Sequence, residues 1–364
     1  MIIIDGSYGE GGGQILRSSL ALSMITGRSI DIRNIRAGRP KPGLRPQHLT
    51  CVKAAASVCG ARPEGAEPGS QRLVFIPDRV RPGHYSFAIG TAGSVMLVFQ
   101  TVLLPLALSH SASEVTLVGG THVPWSPCFH YIDRVFRPAV SAMGLSFEME
   151  LEKWGYYPKG GGIVRTRILP SKELSAFKPA PQRKGKVRVK AISATARLPE
   201  HVRKRQSAQA KSVLEGRGVK VEIEEIEGSA TCPGSLLFCW ISERGRYGGF
   251  TGLGAKGKPA EKVADEAVSG LLAFLDSSAA CDKYLSDQML LPAVLAGGES
   301  HWSTNSISNH LHTNVWVTEC FGLGRVELLE KDKKLSLIKC RGLAVGHEVA
   351  CKNNQQSNKV TLNL

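Results

Sequence analysis

The residues best suited to chemistry lie in one short polar run, Asn309-His310-Leu311-His312-Thr313-Asn314, which leads into Val315-Trp316-Val317. A neutral imidazole is a competent nucleophile near neutral pH, because its ordinary pKa of about 6.5 leaves most of it unprotonated. The apolar sequel reads as a buried strand, which puts the polar run at a strand entrance. In an extended chain His310 and His312 share a face, and Thr313 and Asn314 can orient a ring or a phosphate through hydrogen bonds. The same spacing also suits a fragment of a metal site or an ordinary strand entrance, and the run alone does not choose among these.

A second set lies near the N-terminus, where Ile2–Ile4 reads as a strand and Gly9-Glu10-Gly11-Gly12-Gly13-Gln14 follows it. Glycines let backbone approach a ligand closely, and a glycine-rich loop that opens a helix suits phosphate. The loop is neither a Walker A nor a dinucleotide fingerprint, and a tight structural turn explains it equally well. Glu10 and Arg17 add chemistry to it: a carboxylate can hold a divalent metal, and an arginine can clamp a phosphate. A third set is the expected helix 284–292, where Tyr284, Asp287, Gln288 and Leu291 fall at i, i+3, i+4 and i+7 on one face. That face could stack on a base and bind a ribose, or be the polar stripe of a helix start.

The net charge of +15 on 364 residues is unevenly spread. From Arg183 to Lys220 there are twelve Lys or Arg against two acids, and Arg33, Arg36, Arg39, Lys41, Arg45, Lys53 and Arg62 form a second stretch without an acid. Such fields attract polyanions, so a polyphosphate or nucleic-acid partner is expected over a merely soluble basic surface. Three prolines between Arg39 and Pro46 stiffen the loop that carries four of these cations. No apolar run reaches the ~18 residues a membrane helix needs. Met1-Ile2-Ile3-Ile4-Asp5 meets an acid at once and reads as a strand, not a signal peptide. Nine scattered cysteines without a Cys-x-x-Cys pair read as reduced thiols in a cytoplasmic protein.

A strand–helix–strand–helix–strand–strand rhythm runs twice before residue 170, in units of about 80 residues, and resumes after 284. Within it, 90–109 reads as a buried helix carrying Gln100, whose carboxamide needs partners. Residues 172–181 read as a linker, and the character changes beyond it. The expected organisation is therefore a discontinuous body, 1–182 and 278–345, a smaller inserted basic α+β domain, 183–277, and a polar tail, 346–364.

Taken in order, several runs resemble the RNA 3'-terminal phosphate cyclase family: Asp5-Gly6 through Gly9 to Arg17, Ile35 to Arg39 with Lys41 to Leu44 and Gln47-His48, Gly90 to Ser94, Tyr157-Pro158 with Gly160 to Gly162, Tyr284-Leu285 with Asp287-Gln288, and His310-Leu311 with Thr313-Asn314. The resemblance covers residue 3 to about 330. It implies an α/β (α+β) fold of three β-α-β-α-β-β units, as in the enolpyruvyl transferases, plus a small inserted domain. It also implies ATP-dependent conversion of an RNA 3'-phosphate to a 2',3'-cyclic phosphate, with DNA 3'-phosphate ends as a further candidate substrate, by a monomer or homodimer. By the resemblance, His310 takes AMP from ATP and releases pyrophosphate; AMP passes to the RNA 3'-phosphate and leaves as the ring closes. Arg17, Arg36 and Arg39 neutralise phosphate charge, and Glu10 holds Mg²⁺ or Mn²⁺. Tyr284 stacks on adenine, Asp287 binds the ribose, and Gln14, Gln100, Gln288 and Phe250 line the nucleotide site.

The chain departs from the family pattern at two places. Val123 stands where an Asn is usual, and Cys128 replaces the second of paired prolines, which leaves Pro127 for the other face of adenine. Arg203, Lys204 and Arg205, in the basic stretch, are the candidates for RNA contact. Rival readings are a non-catalytic cyclase-like protein of RNA processing and ribosome biogenesis, an enolpyruvyl transferase, and a plain nucleic-acid binder. Retention of His310, Glu10 and Arg17 together favours the enzyme.

Overall fold

The computed structural model describes residues 1–180, 188–243, 245–332 and 334–345. The expected polar tail and the boundary near 182 lie outside these residues. The first unit is β1 (Ile2–Asp5), α1 (Gly13–Thr26), β2 (Ile30–Arg33), α2 (Pro46–Cys59) and β3 (Leu73–Phe75). The second is β4 (His84–Ala88), α3 (Val95–Ala107), β5 (Ser113–Gly119), α4 (Phe129–Tyr131), a π-helical turn (Ile132–Phe136), α5 (Arg137–Ser141), β6 (Phe147–Lys153) and β7 (Gly162–Ile168). The segment expected as an insertion follows, with β8 (Arg188–Ala196), α6 (Glu200–Gly216), β9 (Lys220–Glu227), β10 (Gly234–Glu243), β11 (Arg246–Leu253) and α7 (Ala260–Leu275). The last unit holds α8 (Lys283–Leu295), β12 (Glu299–Thr304), α9 (Asn309–Cys320), β13 (Arg325–Asp332) and β14 (Leu335–Arg341).

The fold is mixed α/β, and three of its sheets share one plan. In the second unit the order is β4-β5-β7-β6, with the first pair parallel and the others antiparallel. The order β12-β14-β13 matches it once the parallel bridge of Cys281 to Thr304 stands in for the first strand. The order β1-β2-β3 matches it with the Glu64–Val74 bridge as the last strand. Helices α1, α2, α3, α8 and α9 pack on one another between these sheets, α1 touching α2, α3 and α9. Burial of Leu16, Leu20, Phe99, Leu285, Leu311 and Trp302 in this layer supplies the main hydrophobic drive. Among the described residues no helix is long and apolar enough to cross a membrane.

The insertion is less separate than its composition suggests. Alternate residues of its sheet face two cores: Val189, Ala191, Leu237, Cys239 and Ile241 pack under α6 and α7, while Ile192, Ala194, Leu236, Phe238 and Trp240 join the main core. The expected linker is likewise part of the body, since Leu174 and Phe177 are buried and Ser175 bridges Gly297. Three further expectations are corrected. The buried helix begins at Val95, not at 90, because Gly90 takes a left-handed conformation (φ 74°) and 90–94 form a turn. Strands β4 and β11 were not foreseen. Above all, residues 309–320 are helical, not a strand entrance.

Candidate active site

Helix α9 brings the polar run to the glycine-rich loop. Ser308 caps the helix, its Oγ accepting from the Leu311 N–H at 3.0 Å. The hydroxyl donates in turn to Asp287 Oδ1 of α8 at 2.5 Å. In a helix, positions 310, 313 and 316 share a face, and the loop packs along it residue by residue. His310 Nε2 lies 2.9 Å from Glu10 Oε2, a Cβ on Gly9 would sit 2.9 Å from Thr313 Oγ1, and Tyr8 stacks on Trp316 at 4.1 Å. Gly9 has φ 56°, so both the turn and this approach require glycine. His312 falls on the opposite, exposed face; the extended reading that paired it with His310 is overturned.

Glu10 links two catalytic candidates. Its Oε1 accepts from Arg39 Nη2 at 2.5 Å while Oε2 meets His310. The hydrogen bond from His310, together with the nearby Arg39 charge, holds the Glu10 carboxyl below its ordinary range despite partial burial. The other imidazole nitrogen, His310 Nδ1, is buried without a partner among the described residues. Asn314 joins three helices: it accepts from Ser18 Oγ at 2.7 Å and Gln14 Nε2 at 3.2 Å, and donates to the Asp287 carbonyl at 3.1 Å.

Opposite His310, the N-terminus of α1 is capped by Gly12, whose lack of a side chain leaves the first amides of the helix free to meet an anion. Arg17 is buried beside them and donates to Gln14 Oε1 at 2.8 Å. Among the described residues no carboxylate pairs with it, and burial pulls its pKa down, so an anion would offset the cost of its charge. His48, not foreseen as a site residue, closes the cluster. A Cβ on Gly13 would lie 2.3 Å from His48 Nε2 and 2.8 Å from Arg17 Nη1. His48 Nδ1 accepts from the Arg45 N–H at 3.2 Å, which leaves the proton of the neutral ring on Nε2, facing this pocket. Burial, then Arg17, Arg36 and Arg45, push its pKa down to about 3, so the ring stays neutral. Arg36 works on the loop itself: from a left-handed backbone (φ 54°) it donates to the carbonyls of Lys41 and Gly43.

The nucleotide candidates divide. On α8, Tyr284 is exposed, with Lys283 over its ring at 4.9 Å. Gln288 accepts from half-buried Gln100 at 2.7 Å, so the two carboxamides form a pair across α3 and α8. Asp287 is buried, which raises its pKa to about 7. At the head of α8, Asp282 is raised to about 6 by burial and receives the Tyr131 hydroxyl at 2.9 Å, drawing the turn that holds Pro127 toward this helix. Phe250 does not join them. Its ring packs against Phe274 in the second core, and its neighbour Thr251 is the residue that reaches Cys128. A strand sends adjacent side chains to opposite faces, so Phe250 and Thr251 cannot both line the site.

Arg203, Lys204 and Arg205 are also relocated. Arg203 is largely buried between Glu200 and Glu227, Lys204 pairs with Glu200, and Arg205 makes a two-pronged bond to Glu261. Their charge is matched inside the insertion, in part by acids that follow them in the chain on β9.

These features define an α/β protein with an anion pocket at a helix N-terminus and a histidine–glutamate–arginine chain facing it. Residues 8–328 match the model of the RNA 3'-terminal phosphate cyclase family. The chain is 46% identical over 354 residues to the RNA 3'-terminal phosphate cyclase of Methylococcus capsulatus, covering 95% of this chain and 98% of that protein. It is 42% identical over 340 residues to the one from Gloeothece citriformis (92% and 97%) and 44% identical over 335 residues to the one from Archaeoglobus fulgidus (92% and 99%). The chain belongs to the RNA 3'-terminal phosphate cyclase family.

Proposed function

We propose that this chain uses ATP to convert RNA 3'-phosphate ends into 2',3'-cyclic phosphates, with His310 as the nucleophile. The observation that carries the reading is that Glu10 bridges His310 and Arg39 while its carboxylate lies against Gly12, at the start of α1 where Arg17 Nη1 flanks Gly13. Because Nδ1 is buried, Nε2 is the atom an α-phosphate can reach. In the first step Nε2 bonds to the α-phosphorus of ATP, the bond to the bridging oxygen breaks, and pyrophosphate leaves. Nε2 attacks through its lone pair, so Glu10 is in position to take the Nε2 proton of the imidazolium before that bond forms, leaving the ring proton on Nδ1. AMP then passes to a terminal oxygen of the RNA 3'-phosphate and frees the imidazole. The 2'-hydroxyl closes on the 3'-phosphorus and expels AMP. Phosphoryl transfer of this kind depends on positioning and charge neutralisation, which Arg17, Arg39 and the α1 amides supply, with Arg36 fixing the loop that carries Arg39.

Glu10 is a hard oxygen donor beside the phosphate pocket; with ATP phosphates it fits Mg²⁺ or Mn²⁺, which when bound would neutralise charge on the leaving pyrophosphate. We assign adenine to Tyr284 and the Pro127 turn, the ribose to Asp287, and the remaining contacts to Gln14, Gln100 and Gln288. The body is taken as 1–182 with 278–345, and 183–277 as an insertion. Its second core supports that division.

The test is incubation with α-labelled ATP and Mg²⁺ or Mn²⁺, comparing wild type with His310→Ala and His312→Ala. Label bound to wild type and His312→Ala, absent from His310→Ala and chased onto 3'-phosphate RNA is the expected pattern. An unlabelled wild type that still binds RNA would replace this reading with that of a non-catalytic RNA-processing protein.

A further inference from the structure

Behind the Pro127 turn lies a buried cluster that the proposed reaction does not use. His122 Nε2 and His130 Nδ1 are 2.9 Å apart, and the Cys128 thiol completes a set whose ligand atoms all lie within 4.8 Å of one another. All three residues are buried. The Tyr156 hydroxyl is also buried and has no hydrogen-bond partner among the described residues, although its ring is only 5.6 Å from the His122 ring. An orphaned buried hydroxyl on a ring that neighbours His122 needs an explanation, since such groups are almost always paired.

We propose that His122, Cys128 and His130 form a structural site for Zn²⁺, with Tyr156 at its open side. The donor set fits that ion: two imidazoles and a thiolate are ligands zinc favours, and burial suits a closed structural site. The second layer is in place as well. His122 Nδ1 lies 2.7 Å from Thr121 Oγ1, which also accepts from the Gly155 N–H at 2.8 Å. A His122 that ligates through Nε2 must carry its proton on Nδ1, where Thr121 receives it. Trp154 stacks on the His122 ring at 4.3 Å and fixes its plane.

Without metal, one proton is shared between the facing nitrogens. Zn²⁺ takes its place; the shared proton moves to the outer nitrogen of its own ring, and the Cys128 thiol releases one proton to solvent. Tetrahedral bonds of about 2.0–2.1 Å would set the two nitrogens roughly 3.3 Å apart, so the rings need part by only a few tenths of an ångström. The ion would tie the two ends of the 122–130 turn to each other and so brace Pro127 from behind.

The test uses the full chain, stripped with chelator and titrated with Co²⁺ as a spectroscopic probe, then with Zn²⁺. A thiolate-to-cobalt charge-transfer band that saturates at one equivalent, is displaced by Zn²⁺, and is lost in Cys128→Ser is expected. In His130→Gln the affinity should fall at least about tenfold. Zn²⁺ should also raise the melting temperature of wild type. The wild-type titration stands alone if a variant fails to fold: no thiolate band, or no stoichiometric Zn²⁺ retained on dialysis, overturns the site. A band that persists in folded Cys128→Ser places the metal on another cysteine and overturns it too.

Discussion

Asp287 shows how the site is built at the scale of single residues. Its carboxyl is buried, accepts from Ser308 Oγ, and has buried Asp282 near it on the same helix. Desolvation raises its pKa to about 7, with the Ser308 hydrogen bond and the His310 charge working the other way. A carboxyl raised on folding makes the folded state bind more protons than the unfolded one. Its contribution is therefore fully favourable below the ordinary aspartate range and is lost as pH rises toward about 7. Asp287→Asn keeps an acceptor for Ser308 and removes the ionisable group. Its stability relative to wild type should be near zero at about pH 4, grow by roughly 4 kcal/mol by about pH 8, and level off above that. Denaturant titrations of both proteins across that range check it; a difference that does not change with pH would mean the carboxyl is not strained by burial. Loss of ATP binding in the same variant would separately support the ribose assignment.

At the scale of elements, α9 does the positioning, and Ser308 is its start. Ser308→Ala removes a helix cap, worth about 1 kcal/mol, and leaves buried Asp287 without its donor. It should lower stability by roughly 1–3 kcal/mol and slow formation of labelled enzyme from ATP, and Ser308→Thr should restore most of both. Unchanged labelling in Ser308→Ala would mean that Glu10 alone orients His310. This helix was the hardest element to read. Thr313, Val315, Val317 and Thr318 are β-branched, and Val315-Trp316-Val317 reads locally as a strand. Packing of Leu311, Asn314 and Val317 against α1 and α8 overrides that preference, and the signal that could have found the helix was Ser308 in the capping position. Strand β11 was missed for the opposite reason. Gly248, Gly249 and Gly252 look like a loop, yet a Cβ at each would strike Phe274, Phe238 or the Val263 carbonyl, so the glycines are what lets α7 and β10 pack on the strand. By contrast the glycine-rich loop that opens α1 and the helix α8 were legible, because Gly runs and helical periodicity are local signals. The pairing of Glu10 with both Arg39 and His310, and the part of His48, join residues far apart in sequence and could not be read locally.

For the molecule as a whole, the question is where its positive charge is free to act. The sequence places a local excess between Arg183 and Lys220, but folding brings acids onto it. Glu222, Glu224, Glu225 and Glu227 are all exposed on edge strand β9, and Glu200, Glu227 and Glu261 pair with Arg203, Lys204 and Arg205. The loop before α2 is compensated only at Arg39, by Glu10, among the described residues. Lys41 and Arg45 are exposed, no carboxylate among the described residues pairs with either, and Arg36 holds the loop beside the His48 and Arg17 pocket. Phosphates of a bound RNA should therefore lie along 36–45, leading its 3'-end to His310. Removing one phosphate-contacting cation lowers the slope of log affinity against log salt by about one. Lys41→Ala and Arg45→Ala should each do so with a 3'-phosphate RNA oligonucleotide, while Lys204→Ala with Arg205→Ala should leave the slope as it is. A slope lowered by the double change in the insertion, and untouched by the loop changes, would mean that its ion pairs open on binding and that RNA approaches across α6 instead.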